Sequence, residues 1–404
     1  MKVVCVTEKR YYRTPDGSVW TSTGRSYSYW SIYLKAFDQV KVVARVLNVE
    51  AREDSWLRAD GESVCFHPVP HYLGPKQLLL SFGKVRRAAT SAIELGDAVV
   101  LYAGGPMSGL VAPYLWRLGY PYGVYVGGDP YDTFAPRAFR HPLRPILRWH
   151  FTRQLKKQCL RACAAQYVTQ YALQRRYPCP GLTISASGVE LPDTALAERP
   201  RQYDNTKRPV RIVTIGTFDV MYKAPDVLIE AVSTCVRDGL DLELTFIGDG
   251  VHRKAMETLA AARNIGDRTR FLGRLPSGQA VFAELDKADL FVLPSYCEGL
   301  PRAMIEAMAR GLPCIGTNVG GVPELLPSED IVAPGSVPAL AHKIAEVVSS
   351  PERMTAMSAR NLERARDFTD SVIGERRLQF YTHLRDKTQE WIAGVRSEPR
   401  IYGA

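Results

Sequence analysis

The sequence lacks most of the short patterns that mark familiar chemistries. Its seven histidines form no HExxH and no pair at metal-ligand spacing, and neither GxSxG nor GxxxxGK[ST] occurs. Zinc proteases, α/β-type serine hydrolases and P-loop nucleotidases are thereby excluded, and no bound metal is expected. The eight cysteines (5, 65, 159, 163, 179, 235, 297 and 314) are scattered and contain no CxxC. Cys159 and Cys163 have helical spacing but no matching histidine pair, so free thiols in a reducing cytosol are expected. The opening MKVVCVTEKR holds too short an apolar run for a signal peptide and reads as a first β-strand. Residues 98–116 carry no charge, nearly the length of a membrane span, but AGGP at 103–106 splits them into a strand and a helix. Together these absences point to a cytoplasmic protein, at most peripheral on the inner face of the plasma membrane.

What is present is an ordinary globular composition. The 404 residues are 46% hydrophobic and 23% charged, enough for two domains with cores of their own. Fifty-two Lys and Arg against 42 Asp and Glu leave a net charge of +10, which favours anionic partners. No nucleic-acid motif accompanies that charge, so no nucleic-acid partner is expected.

Short apolar strands alternate with helical segments throughout. In the first half strands are predicted at 2–7, 40–46, 64–69, 98–103, 122–128, 166–170 and 182–187; in the second at 211–217, 242–248, 269–273, 289–294, 313–317 and 330–334. Such alternation builds right-handed βαβ units and parallel sheets. The fold class expected is α/β, with two Rossmann-like doubly wound domains facing a cleft that holds the site. The polar, proline-rich stretch 190–209 is the expected linker. It divides an N-terminal domain (1–195) from a C-terminal one (205–370), with a helical segment (371–404) packing back on the first.

The most informative stretch is PSYCEGLPRAMIEAMARGLPCIGTNVGGVPEL, residues 294–325. It places Glu298 on the turn leaving a buried strand and Glu306 within a helix predicted from Leu300 to Arg310. The offset is about 2.2 turns, so the two carboxylates lie about 80° apart around the axis and roughly 12 Å apart along it. Two carboxylates reaching one cleft suit a ligand with two separate hydroxyl-bearing groups.

With FIGDGVHRKAMETLA (246–260) and the FLGR…ADLFVLPS run (271–295) upstream, this string resembles the retaining glycosyltransferases of family 4, which have the GT-B fold and an E-x7-E motif. The resemblance is strong over 205–330 and weaker before it. It implies that Glu298 contacts the hydroxyls of a donor sugar and Glu306 the ribose of a nucleotide diphosphate sugar, with no cofactor beyond that substrate. It further implies that Gly299, Leu300 and Pro301, at the helix start, meet the diphosphate through backbone N–H groups and the helix dipole. GTFDVMYKAPDVLIEAV (216–232) matches the family's phosphate-clamp segment, with Lys223 as its lysine. Thr217 stands where that family commonly has arginine, and Ala224 where it has glycine. Arg274 is a further candidate near the base or phosphates. In the first domain Asp129, in YVGGDPYDTF, takes the place of a family histidine as a sugar contact; a turn aspartate before proline is its other reading. Gly24 opens the first helix where the family has a glycine pair, and the aromatic loop 11–30 is the acceptor-site candidate.

The reading is a retaining glycosyltransferase moving a hexose to a hydroxyl of a glycan or lipid-linked acceptor, in surface polysaccharide or glycolipid assembly. A nucleotide-sugar epimerase of the same fold, or a non-catalytic nucleotide-sugar-binding subunit, stays open at this point. No acidic residue occurs from Thr133 to Val189, while 143–161 carries six cations beside Trp149 and Phe151. That composition fits an anionic membrane surface, with Lys76, Lys84, Arg86 and Arg87 extending the patch. A solvated outer helix is the alternative.

Overall fold

The computed structural model describes residues 1–397 apart from 23, 137, 140 and 205–208; for 396 and 397 it describes the backbone alone. Part of the expected linker (205–208) and the tail 398–404 lie outside the described residues.

Two parallel sheets dominate. In the first, the spatial order is Val64–Val69, Gln39–Asn48, Lys2–Arg13, Ala98–Tyr102, Gly123–Val126, Ala164–Tyr167 and Leu182–Ser185, all parallel. In the second it is Thr269–Phe271, Leu242–Ile247, Val210–Ile215, Leu290–Leu293, Cys314–Thr317 and Ile331–Val332. Each sheet grows outwards from its first strand in one direction and then in the other. Helices therefore cover both faces, and the strands can be apolar on both sides. Val3, Val4, Cys5 and Val6, and likewise Leu290 to Leu293, are fully buried.

Three local departures from the sequence reading have physical causes. The stretch 11–30 is not simply a loop. The first strand runs on to Arg13, and Thr14-Pro-Asp-Gly turns the chain back into an antiparallel strand, Val19–Thr21, which pairs with Leu57–Arg58. Gly17, with φ of 86°, donates its N–H to the Thr14 carbonyl at 2.9 Å to close that turn. Half of the aromatic residues of this acceptor-site candidate belong to the core: Tyr11, Tyr29 and Trp30 are buried, while Tyr12 stacks on Trp56. The expected linker is also tied down. The Arg201 guanidinium donates to the carbonyls of Leu285, Ala288 and Arg310 in the second half.

The long helix Asp370–Ser397 crosses back to the first sheet. Tyr381 stacks on Tyr33 with ring centres 4.2 Å apart, Trp391 meets Tyr120, and Arg377 donates to the Ser187 carbonyl. Gly123 is required beneath it, because a Cβ there would come within 2.6 Å of the Phe380 ring.

Candidate active site

A doubly wound sheet opens a crevice where neighbouring strands send their following helices to opposite faces. In the second sheet that point lies between Val210–Ile215 and Leu290–Leu293. The chain leaving the first of these carries Thr217 and Lys223; the chain leaving the other carries Ser295 and Glu298. The first domain faces them so closely that a Cβ on Gly299 would sit 2.4 Å from the Gly127 carbonyl oxygen. Only glycine fits there.

The glycine pair 320–321 supports the same turn from below. Gly321 donates to the Gly299 carbonyl at 2.6 Å, and Gly320, with φ of 50°, lies so near the Glu298 carbonyl that a Cβ would approach it to 2.0 Å. Four residues on, the buried Glu324 carboxylate accepts backbone N–H groups from Gln170, Tyr171 and Ala172 of the first domain. The string 294–325 therefore shapes the cleft wall and clamps it to the opposite domain.

The cleft encloses about 850 Å³ and is lined by Glu298, Glu306, Lys223, Thr217, Arg274 and Asp129, with Gly299, Leu300 and Pro301 along one edge. Glu298 is 7% exposed. Its Oε1 accepts from Lys223 Nζ at 2.6 Å and from Ser295 Oγ at 2.6 Å. The lysine and the glutamate assigned to separate ligand groups are thus partners of each other. Ala224, next to Lys223, adopts φ 51° and ψ 49° to cap the helix Pro225–Arg237. Glycine would take that conformation freely, whereas alanine pays about 1 kcal/mol for it.

Glu306 projects from the helix Arg302–Ala309 into the same cleft, half-buried and without a hydrogen-bond partner among the described residues. Burial raises its pKa to about 7; Arg302 opposes the rise and Glu190 adds to it. The helix begins two residues later than expected. Pro301 is its N-cap rather than part of its first turn, and Gly299 and Leu300 precede it in the loop. Their N–H groups donate to no protein acceptor among the described residues.

The other expected residues are distributed less evenly. The Thr217 hydroxyl lies at the cleft but is engaged with Asp219 and the Asp249 carbonyl. Arg274 lines the cleft with no ion pair among the described residues. Asp129 lines the cleft and also takes the turn role. It caps the short helix Pro130–Thr133, accepting the Tyr131 N–H at 2.8 Å, and its two oxygens are also taken by Arg176 and the Tyr177 hydroxyl. Those three hydrogen bonds fill most of the roughly four acceptor positions of a carboxylate. Gly24 lines a smaller neighbouring cavity rather than this one.

Four side chains went unforeseen. Ser295 and Arg302 stand inside the quoted string, and Glu324 closes its GGVPEL end; their nearness to Glu298 was the available signal. Lys9 had none, because an irregularity within the first strand aims it.

Residues 197–364 match the family described as glycosyl transferases group 1. The chain is 29% identical over 319 residues to Protein CapJ of Staphylococcus aureus, covering 78% of this chain and 79% of that protein. Among solved structures, sucrose-phosphate synthase from Thermosynechococcus elongatus superposes with a TM-score of 0.69 at 19% identity, covering 98% of this chain and all of that one. WaaG, a glycosyltransferase involved in lipopolysaccharide biosynthesis, gives 0.64 at 15% identity, covering 94% and 99%. The fold is GT-B. Family match, relatives and fold together support a glycosyltransferase.

Proposed function

We propose that this glycosyltransferase moves a hexose, with retention of configuration, from a nucleotide diphosphate sugar to a hydroxyl of a glycan or lipid-linked acceptor. The observation that carries the reading is the Lys223–Glu298 pair, at 2.6 Å, sharing one cleft with the unpartnered Glu306 carboxylate. Ribose hydroxyls donate to Glu306. The N–H groups of Gly299 and Leu300 and the start of the following helix meet the diphosphate. Glu298 holds the Lys223 ammonium with one oxygen and offers the other to the sugar. As the bond from the anomeric carbon to the phosphate oxygen breaks, both electrons pass to that oxygen, and Lys223 stabilises the developing charge. The acceptor oxygen attacks the face the phosphate leaves, and its proton passes to the departing phosphate. No side-chain nucleophile is needed. Thermal unfolding with UDP-, GDP- and dTDP-sugars tests the reading: a true donor at 100 times its Kd adds about 2.7 kcal/mol. No shift with any of them contradicts it.

Assembly of surface polysaccharide or glycolipid places the acceptor at a membrane, and one face of the first domain suits that surface. Among the described residues no helix is long and apolar enough to cross a membrane. The helix Arg144–Arg161 exposes Ile146 and Trp149, each 62% accessible, beside Arg153, Lys156 and Lys157. Phe151 instead turns inward against Phe134. The helix Gly74–Ser91 adds Leu79 and Leu80, the latter 88% accessible. Each cation near an anionic surface contributes about 1 kcal/mol, within a Debye length. Anionic liposomes should therefore pellet the protein at low salt and release it at high salt. Reversing Arg153, Lys156 and Lys157 to glutamate should abolish pelleting and spare hydrolysis of the soluble donor. Equal pelleting of both proteins, or none, would make the helix a solvated outer face.

A further inference from the structure

Beside the main cleft, across Leu300 and Arg302, lies a second cavity of about 210 Å³. That is room for about seven water volumes, or one charged sugar-sized unit. Its first-domain wall carries Lys9, Arg25, Gly24 and Glu190, and Arg302 closes it from the second domain. Three cations thus face one carboxylate.

Each cation is set by a specific device. The register between Lys2–Arg13 and Gln39–Asn48 slips between Val6 and Arg10, four steps on the first strand matching the two from Val43 to Arg45. Such an irregularity re-aims the side chains it contains, and here they are Thr7, Glu8 and Lys9. Arg25 holds φ of 67° and lies over the Tyr102 ring at 4.1 Å, with Nη1 donating to Thr7 Oγ1 at 3.0 Å. Arg302, the first residue of its helix, makes no ion pair among the described residues and reaches across to Gly24, where a Cβ would lie in ordinary contact, 3.8 Å from Arg302 Nη1.

We propose that this cavity binds an anionic group of the acceptor, a carboxylate or a phosphate, next to the sugar being transferred. The inference rests on the glycosyltransferase reading of the adjoining cleft. The cleft already offers the donor its own cation and free N–H groups, whereas this cavity lies on the first-domain side of Leu300 and opens beside them. Burial, with crowding by Arg25 and Arg302, draws the Lys9 ammonium down to about 8 against the pull of Glu190. It remains protonated at neutral pH, and a bound anion relieves that crowding.

The test is calorimetric titration of the whole protein with sodium glucuronate, inorganic phosphate and neutral glucose. Each is run alone and at saturating UDP, GDP or dTDP, whichever binds. At least one anion should bind tenfold or more tightly than glucose, with nucleotide bound or free; the tighter of the two identifies the acceptor group as carboxylate or phosphate. Lys9→Gln should weaken that anion by about tenfold or more and leave nucleotide affinity within twofold. Lys9→Arg, which keeps the charge, should restore anion binding, separating charge loss from misfolding. Anions no tighter than glucose would overturn the proposal. So would anion and nucleotide competing, or weakening in parallel in Lys9→Gln, because the cavity would then belong to the nucleotide's phosphates. If no nucleotide binds the wild type, the glycosyltransferase reading fails and takes the acceptor assignment with it, even where anion preference survives.

Discussion

Glu298→Gln is expected to lower turnover by about 100- to 1000-fold, the cost typical of removing one preorganised electrostatic contact to a transition state. Nucleotide affinity should change little. The substitution keeps the side chain's shape but removes the charge that fixes the Lys223 ammonium at 2.6 Å, and it weakens the contact to the sugar as the diphosphate departs. Because Lys223 and Glu298 act as one unit, Lys223→Met should cost a similar factor, and the double variant little more than either alone. Steady-state kinetics on the three variants, beside their melting curves, check this. Additive losses would mean the two residues serve separate ligand groups. Wild-type turnover in Glu298→Gln would remove the pair from the mechanism.

Glu306 yields the second large effect, through pH. Its pKa of about 7 leaves it largely protonated at pH 6 and ionised at pH 8. The ionised form is the better acceptor for ribose hydroxyls, so wild-type nucleotide affinity should fall about tenfold from pH 8 to pH 6. Glu306→Gln should bind nucleotide more weakly at pH 8, by about 1.5–3 kcal/mol, and show a flat profile. Stability moves in the opposite sense. A carboxylate whose folded pKa lies above its unfolded value favours the fold at low pH and loses that contribution as pH rises from about 4.5 to 7. Glu306→Gln should thus match wild type at pH 4 and exceed it at pH 8, by up to about 3 kcal/mol. Identical pH profiles for the two proteins would show that Glu306 neither titrates in this range nor meets the nucleotide.

The alternation of strands made the two doubly wound sheets legible, because parallel strands buried on both faces must be nearly continuous apolar runs. The wall containing Glu298 and Glu306 was legible for a related reason, since strand, turn, helix and glycine pair all fall within one contiguous stretch. What stayed hidden depends on contacts between distant segments. Nothing near Asp129 announces Arg176 and Tyr177, 47 and 48 residues later, which hold its carboxylate in the turn. Glu324 looks like an ordinary helix residue until the N–H groups of 170–172 arrive from the other domain. The Thr14–Gly17 turn was visible as Pro-Asp-Gly, and reading it would have moved Tyr11 and Tyr12 from a loop into a strand. Lys9 could not be placed, because strand periodicity predicts its direction only where the register is regular, and here it slips.

The most direct test of the central claim is proton NMR of the purified protein with UDP-, GDP- and dTDP-hexoses, following nucleoside diphosphate release and the anomeric configuration of the newly freed or transferred sugar. The expected result is release from at least one donor, with the first-formed sugar in the donor's own configuration, and release from that donor reduced at least 100-fold in Glu298→Gln. Isomerised but intact donor, sugar of inverted configuration, or no turnover with any of the three would contradict the account.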